Sequence, residues 1–322
     1  MAQFDMPLDQ LRSYLPERQE PADFDEFWRR TLDESRTFAR DTGRTLFDPV
    51  DVRLRDLVVE DVTFSGFHGH PIRGWLIRPR GEIRATVVQF LGYSGGRGVP
   101  EQWTLLPSAG YAHFVMDSRG QGNGSHVGAT ADPVGSTPQT AGRMSSGIEN
   151  PNDYYYRRIY TDAVLAVDAA RAHGASERII VAGASQGGGI AVAAAALSDD
   201  IDGAMIDVPF LSHFRRAIQI TEQNPYNEIA RYMLTRRGEE EDVFRVLSYF
   251  DGLNLAARAT APALYSTALY DAVCPPSTVF AQFNHYAGPN KRIEVYPYNG
   301  HEGGQWVQQR AQLTFLEELL GS

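Results

Sequence analysis

The strongest constraint on the fold is an alternation of apolar and helix-patterned segments that starts near residue 85 and runs to the C-terminus. Strands separated by helices favour a mainly parallel sheet covered on both faces. The predicted strands are Ala85–Leu91, Ala112–Asp117, Arg178–Ala182, Gly203–Val208, Pro262–Leu269 and Lys291–Tyr296. The predicted helices are Tyr156–His173, Gly187–Ser198, Ser277–His285 and Gln305–Leu320.

The first 84 residues have a different pattern. Asp23–Phe38 has the spacing of an amphipathic helix, with Asp23 as N-cap and Glu26 completing a capping box. Leu57–Phe64 and Ile72–Arg78 are strand-like runs joined by a short glycine-containing loop, which predicts a β-hairpin. We expect this hairpin to lie outside the main sheet.

Two stretches interrupt the alternation. Residues 121–152 are rich in Gly, Ser and Pro and predict a long loop, whereas residues 221–250 are polar and predict a partly helical insertion between two strands. Long insertions near strand ends shape a pocket or simply decorate the surface, and both interpretations remain open. We interpret 1–322 as a single domain, with an N-terminal helix and hairpin extension (1–84) and a core (85–322).

Composition excludes several classes of function. Of the 322 residues, 43% are hydrophobic, which is enough for a large core, and the net charge of −10 argues against binding to a nucleic-acid backbone. No apolar run approaches the length of a membrane span, so no membrane association is expected. The single cysteine, Cys274, and the lack of a signal-like N-terminus predict a cytoplasmic protein.

The motif Gly183-Ala184-Ser185-Gln186-Gly187 follows an apolar run and opens an alanine-rich helix. This strand–turn–helix context is typical of the nucleophile elbow of the α/β-hydrolase fold, where larger flanking side chains would clash with the neighbouring strand and helix. Ser94 lies in a second Gly-x-Ser-x-Gly match, Gly92–Gly96, but Arg97–Pro100 follows and no helix can begin there at once. We therefore predict Ser185 as the nucleophile.

The chain order of this fold is serine, then acid, then histidine. Three histidines follow Ser185, and His301 is the one in a glycine-rich loop where an imidazole can reach a serine hydroxyl. His213 precedes the later strand that carries the preferred acid, and His285 lies within a helical pattern. His301 is therefore predicted to be the general base.

Two aspartates end apolar strands and are candidates for the acid. Asp271 lies on the later strand and is preferred, while Asp207 remains the alternative. If Asp207 is structural, we expect it to cap the loop Pro209–His213. The pair His68 and His70 suggests metal ligation, but its place in a hairpin turn without nearby ligands favours a solvated loop, so no metal site is predicted.

An oxyanion hole needs two backbone N–H donors. In this fold one donor belongs to the residue after the nucleophile, here Gln186, and the other to the loop after an early strand. That loop is Gly92–Gly96, called the oxyanion loop below. We predict Tyr93 as the second donor, with its ring forming a wall of the substrate pocket.

Three short signatures now stand in order along the chain: Arg119-Gly120-Gln121, Gly183-Ala184-Ser185-Gln186-Gly187 and His301-Glu302. With them the chain resembles the acetyl xylan esterase and cephalosporin C deacetylase family, carbohydrate esterase family seven. Further segments extend the resemblance over essentially the whole chain: Phe4–Leu8, Tyr154–Arg158 and Asp271–Thr278.

The resemblance implies a triad of Ser185, Asp271 and His301, no metal or other cofactor, and removal of acetyl groups from small acetylated sugars and cephalosporin C. It also implies a ring-shaped homohexamer with active sites facing an inner cavity, to which we expect the hairpin to contribute contacts. The other residues assigned to the site are Tyr93 and Pro225 in the pocket, the amides of Tyr93 and Gln186 as oxyanion donors, and Arg119, Gln121 and Glu302 in support.

Other hydrolases of this fold fit the sequence less well. A peptidase usually carries an additional recognition domain, and a lipase an apolar lid, whereas residues 221–250 are rich in Arg, Glu and Asp. Two alternatives remain: a broad short-chain carboxylesterase, and a non-catalytic binding protein on a hydrolase fold.

Overall fold

A single mixed sheet organises the chain in the computed structural model, which describes residues 3–43, 45–134 and 142–321. Its nine described strands lie in the order β1-β2-β3-β5-β4-β6-β7-β8-β9. The strands are β1 Thr45–Val50, β2 Leu57–Ser65, β3 Pro71–Pro79, β4 Thr86–Phe90, β5 Ala112–Met116, β6 Ile179–Ala184, β7 Gly203–Asp207, β8 Ala263–Ala268 and β9 Lys291–Tyr296.

Six strands, β5-β4-β6-β7-β8-β9 in sheet order, pair in parallel. This confirms the predicted α/β-hydrolase class and sheet type. Successive residues of the central strands face opposite sides of the sheet and are buried on both. In β6, Val181 packs into the larger core with α4 and α5, whereas Ile180 packs into the smaller core with α11. The longer helices are α2 Phe24–Thr42, α4 Tyr155–His173, α5 Gln186–Leu197, α10 Pro276–His285 and α11 Gln305–Leu320.

Shorter helices complete the described elements. They are α1 Leu8–Arg12, α3 Leu105–Ser108, α6 Phe214–Ile220, α7 Tyr226–Met233, α8 Glu240–Ser248 and α9 Gly252–Ala256, with 3₁₀ turns at Phe67–Gly69, Pro100–Trp103 and Arg143–Ser145. The predicted insertion 221–250 therefore contains α7 and α8. Part of the predicted loop 121–152, residues 135–141, lies outside the described residues. No described helix has the length and apolarity needed to cross a bilayer.

The hairpin of β2 and β3 forms as predicted, but the expectation that it lies outside the main sheet is wrong. Strand β3 pairs antiparallel with β5, from Gly74 opposite Met116 to Ile77 opposite His113. A Cβ atom on Gly74 would lie 2.8 Å from the Val115 carbonyl oxygen, so glycine permits this approach. Periodicity predicts a hairpin from local sequence but carries no information about the sheet edge that it joins.

Two further local predictions fail for physical reasons. Helix α2 starts at Phe24, but Asp23 makes no side-chain cap; its carboxylate accepts a hydrogen bond from the Tyr249 hydroxyl at 2.5 Å instead. The capping box is therefore absent, because a distant tertiary partner takes the capping oxygen. Strand β1 was not predicted, since it contains Pro49 and is mostly exposed, as is typical of an edge strand.

Candidate active site

The turn between β6 and α5 presents Ser185 at the carboxyl end of the sheet. Ser185 has φ 57° and ψ −122°, a conformation that a side-chain-bearing residue rarely adopts. A Cβ atom on Gly183 would lie 2.1 Å from the Gly187 carbonyl oxygen, and one on Gly187 would lie 2.2 Å from the Phe90 carbonyl oxygen. The glycines flanking the serine are thus required by the close approach of α5 to β6 and β4, as the motif predicts.

Ser94 also has a positive φ, 62°, but in a different setting. The Gly95 N–H donates to the Gly92 carbonyl in a tight turn, and the next described element is the 3₁₀ turn Pro100–Trp103. The N–H of Ser94 donates to Gln121 Oε1 at 2.6 Å. The second motif therefore forms a braced loop and no strand-to-helix elbow.

A continuous hydrogen-bond chain joins the three predicted triad residues. His301 Nε2 lies 3.0 Å from Ser185 Oγ, and His301 Nδ1 lies 2.9 Å from Asp271 Oδ2. Asp271 is fully buried, and its Oδ1 accepts the N–H groups of Val273 and Cys274 at 2.8 and 2.9 Å. With Oδ1 occupied, Oδ2 is free to accept the Nδ1 proton, which leaves Nε2 to accept the serine proton.

The alternative acid, Asp207, has different partners. Its carboxylate accepts hydrogen bonds from Ser266 Oγ at 3.0 Å, Gln308 Nε2 at 2.7 Å and Gln312 Nε2 at 2.6 Å. Burial raises the pKa of Asp207 to about 7, and the bonds from Ser266 and Gln308 oppose part of the rise. The expectation that a structural Asp207 would cap residues 209–213 is wrong: its side chain ties β7 to α11.

The remaining candidate histidines point elsewhere. His213 Nε2 lies 2.9 Å from the Tyr14 hydroxyl, and His285 Nε2 lies 2.7 Å from the Pro16 carbonyl oxygen. His68 stacks on Phe67, and His70 Nδ1 lies 3.2 Å from Arg119 Nη1. None of these contacts involves Ser185.

The backbone N–H groups of Tyr93 and Gln186 are free to bind a ligand. Neither donates to an acceptor within residues 3–43, 45–134 and 142–321. Gln186 is the first residue of α5, so its N–H is one of the unsatisfied donors at the positive end of a helix. Both donors therefore have the availability that an oxyanion site requires.

The side-chain amides of Gln121 and Gln186 link the two donor segments. Gln121 Oε1 accepts the Ser94 N–H, while its Nε2 donates to Gln186 Oε1 at 2.9 Å and to the Tyr155 hydroxyl at 2.8 Å. Gln186 Nε2 donates to the Leu91 carbonyl at 3.1 Å. The oxyanion loop and the start of α5 are thus cross-linked beneath the site by two buried amides.

Arg119 anchors the surrounding segments. It is fully buried and binds Asp162 through Nε at 2.5 Å and Nη2 at 2.6 Å. Asp162 also accepts the Phe67 N–H, so the guanidinium joins the β2–β3 turn to α4. Glu302 accepts hydrogen bonds from Asn299 Nδ2 and the Gly300 N–H, both at 3.0 Å, and so shapes the loop that carries His301.

A cavity of about 310 Å³ lies in front of Ser185 and His301. Tyr93 lines it, whereas Pro225 does not: that residue precedes α7. The sequence did not indicate the wall residues Trp103, His126 and Val208. They come from separate loops, and no local pattern marks them.

Asp271, Cys274 and His301 also have spacing that suits a metal ion, with ligand atoms within 4.8 Å of one another; among the described residues no other such group occurs. Burial raises the pKa of the Cys274 thiol, which disfavours the thiolate that binds metals. The Asp271 and His301 atoms already bond to each other. The arrangement therefore suits proton transfer to and from Ser185 better than metal binding.

Comparison with known proteins gives the family of the chain. Residues 1–319 match the family described as Acetyl xylan esterase (AXE1). The chain belongs to the acetyl xylan esterase family. The family assignment extends over nearly the whole chain and is not limited to the elbow.

Solved structures from this family superpose closely. The acetyl xylan esterase from Paenibacillus sp. R4 is 38% identical, with a TM-score of 0.88 over 97% of this chain and 99% of that chain. Acetyl xylan esterase 1 from Thermoanaerobacterium sp. JW/SL YS485 is 33% identical, with a TM-score of 0.88 over 99% and 100%. Acetyl esterase Axe7A from Xylanibacter ruminicola is 23% identical over 291 residues, 89% of this chain. The chain spans 64% of the length of that relative.

Proposed function

We propose that this chain is a serine esterase that removes acetyl groups from small acetylated sugars, including acetylated xylo-oligosaccharides, and from cephalosporin C. The observation that carries the proposal is the unbroken chain from Asp271 through His301 to Ser185, facing a cavity beside two free backbone donors. Membership of the acetyl xylan esterase family supports the choice of an acetyl ester.

In the proposed reaction, His301 Nε2 takes the hydroxyl proton while Ser185 Oγ attacks the acetyl carbonyl carbon. Asp271 holds the ring so that Nδ1 carries a proton and stabilises the imidazolium that forms. The N–H groups of Gln186 and Tyr93 bind the oxyanion of the tetrahedral intermediate. The sugar alcohol leaves with the proton from His301, and water then releases acetate by the same steps.

A series of substrates tests this proposal. Aryl esters from acetyl to octanoyl, acetylated xylo-oligosaccharides and cephalosporin C are each assayed with the wild-type protein. We expect kcat/KM to fall steeply beyond short acyl groups, because a single excess methylene costs about 1–3 kcal/mol in discrimination. Equal rates with acetyl and octanoyl esters would favour a broad carboxylesterase and remove the deacetylase proposal.

A serine-reactive phosphonate separates an enzyme from a binding protein on the same fold. We expect stoichiometric labelling of the wild-type chain and no labelling of Ser185→Ala, because only an activated serine attacks the phosphorus. An unlabelled wild-type chain would favour the binding protein. From the family resemblance we further propose a homohexamer, and from the single cysteine a cytoplasmic location.

A further inference from the structure

One carboxylate of the insertion 221–250 reaches the oxyanion loop. The Tyr93 hydroxyl donates to Glu228 on α7, 2.9 Å from Oε2 and 3.1 Å from Oε1. The same hydroxyl oxygen accepts the N–H groups of Gly142 at 3.0 Å and Arg143 at 2.7 Å. A phenol offers one proton and two lone pairs, so these partners use its full hydrogen-bonding capacity.

The hydroxyl makes the described hydrogen bonds of Tyr93, and its ring packs edge-on against Phe210 with centroids 6.5 Å apart. In the described part of the chain, neither the N–H nor the C=O of Tyr93 makes a hydrogen bond. Its neighbours are held by the Gly95-to-Gly92 turn and by the Gln121 contact to Ser94. Glycines around it set few steric limits on the loop backbone, so the shape of the loop depends on these contacts. The Gly92 carbonyl lies in the same peptide plane as the Tyr93 N–H and is held by the Gly95 N–H. The direction of the Tyr93 N–H therefore depends on this turn together with where the phenol is held.

Helix α7 is in turn tied to the nucleophile. The Tyr226 hydroxyl donates to the Ser212 carbonyl at 2.9 Å and accepts the Ser212 N–H at 3.1 Å. The Tyr226 ring packs on Phe210 with centroids 4.3 Å apart, and the Phe210 N–H donates to the Ser185 carbonyl at 2.9 Å. These contacts place Glu228 in a fixed relation to the elbow.

We propose that Glu228 is a positioning residue for oxyanion stabilisation. By holding the Tyr93 phenol it sets the Tyr93 N–H in register with the N–H of Gln186. The inference rests on the proposed function and gives the insertion a role in the rate of acyl transfer. Such a role affects the transition state, where charge develops on the carbonyl oxygen, more than it affects binding of the neutral ester.

The test compares Tyr93→Phe, which removes only the hydroxyl, with Glu228→Gln, which removes the charge but retains the size. Each variant is assayed for kcat and KM with an aryl acetate. Each is also assayed for inhibition by a trifluoromethyl ketone, whose carbonyl becomes a tetrahedral oxyanion when the serine adds to it. We expect kcat to fall about 10–100-fold, part of the ~10²–10³-fold cost of losing one oxyanion donor. KM should change less than about threefold, and affinity for the ketone should fall in parallel with kcat.

Two further variants sharpen the result. The double variant Tyr93→Phe/Glu228→Gln should be no slower than the slower single variant, because Tyr93→Phe removes the donor of the contact whose acceptor Glu228→Gln weakens. Tyr232→Phe is the matched control. It removes from the same helix, α7, a hydroxyl that donates to Glu149 at 2.8 Å and makes no hydrogen bond with Tyr93 or Glu228. We expect its kinetics to equal those of the wild type.

The outcomes separate the two proposals. An active wild type whose Tyr93→Phe and Glu228→Gln variants keep normal kcat and ketone affinity would overturn this inference alone. A folded wild type without activity on acetyl esters would overturn the proposed function and this inference together. Thermal unfolding is measured on each variant, and if Tyr93→Phe does not fold, Glu228→Ala, which removes both acceptor oxygens, decides the question.

Discussion

At the scale of single residues, the backbone of Ser185 is strained and held in place by its neighbours. A residue in such a conformation costs on the order of 1–3 kcal/mol, which surrounding contacts must offset. The Ser185 N–H donates to the Asp207 carbonyl at 3.0 Å, and its carbonyl accepts the N–H groups of Gly189 and Phe210. These bonds hold the Oγ atom within reach of His301. Ser94 shares the positive φ, but its hydrogen bonds to the described residues include none to a histidine.

The first prediction follows from this contrast. Ser185→Ala should abolish hydrolysis of aryl acetates, because no other described hydroxyl accepts a hydrogen bond from or donates one to His301. Ser94→Ala should keep much of the activity, since its role is confined to the loop backbone. Initial rates on the purified, folded variants check both. An active Ser185→Ala beside an inactive Ser94→Ala would contradict the assignment.

The second prediction concerns the acid. In Asp271→Asn the amide oxygen is expected to stay on the N–H groups of Val273 and Cys274, which turns the NH₂ group toward the protonated Nδ1 of His301. This mismatch favours the wrong tautomer, and the same exchange in a serine protease costs about 10⁴ in turnover. We expect a loss of that order for Asp271→Asn and a modest one for Asp207→Asn. A folded Asp271→Asn with normal turnover would disprove the assignment.

At the scale of elements, Asp207 connects β7 to α11 and to β8. Its partners Gln308 and Gln312 lie one turn apart on α11, and Ser266 lies on β8. Burial raises the pKa of this carboxyl to about 7, so the folded chain binds the proton more tightly than the unfolded chain does. The stability from this group is therefore complete below the ordinary carboxyl pKa and is lost as pH rises through 7.

The third prediction uses this linkage. Between pH 5 and pH 8, the wild type should lose about 1–3 kcal/mol of unfolding free energy relative to Asp207→Asn, whose side chain does not titrate. The difference between the two proteins removes the contribution of every other titrating group. Urea unfolding at several pH values measures it. A difference that stays constant with pH would show that Asp207 is ionised throughout this range.

At the scale of the whole molecule, the continuous sheet changes how a hexamer could form. Both strands of the hairpin are paired on both sides, β2 with β1 and β3, and β3 with β2 and β5, so their main chains offer no edge to a neighbour. Large apolar side chains stand exposed elsewhere, with Tyr298 at 85% and Trp306 at 58% of their surface accessible. Exposed apolar side chains mark an interaction site only where they form a contiguous patch.

The fourth prediction is that light scattering at working concentration gives a particle of six 35.7 kDa chains. The number six comes from the family resemblance, and covering exposed apolar area favours association of chains in general. A monomer at the same concentration would contradict the hexamer while leaving the acyl-transfer proposal intact, because all three triad residues come from one chain.

The sequence by itself determined the features that depend on neighbouring residues. Apolar runs bounded by polar or glycine residues set the strands of the parallel sheet, and small residues around Ser185 set the elbow, because backbone sterics act within a few positions. The order of serine, acid and histidine along the chain nominated Ser185 and His301, with Asp271 preferred over Asp207, and the structure brings Ser185, Asp271 and His301 together.

Only the tertiary structure decided the features that depend on distant partners. Whether Asp207 or Asp271 faces His301, which sheet edge the hairpin joins, and whether Asp23 caps its helix each depend on contacts between residues far apart in the chain. The contact of Glu228 with Tyr93 spans 135 positions, and no local pattern marks it. Periodicity reports which face of an element is buried, whereas the partner that it meets there is set by how the elements pack.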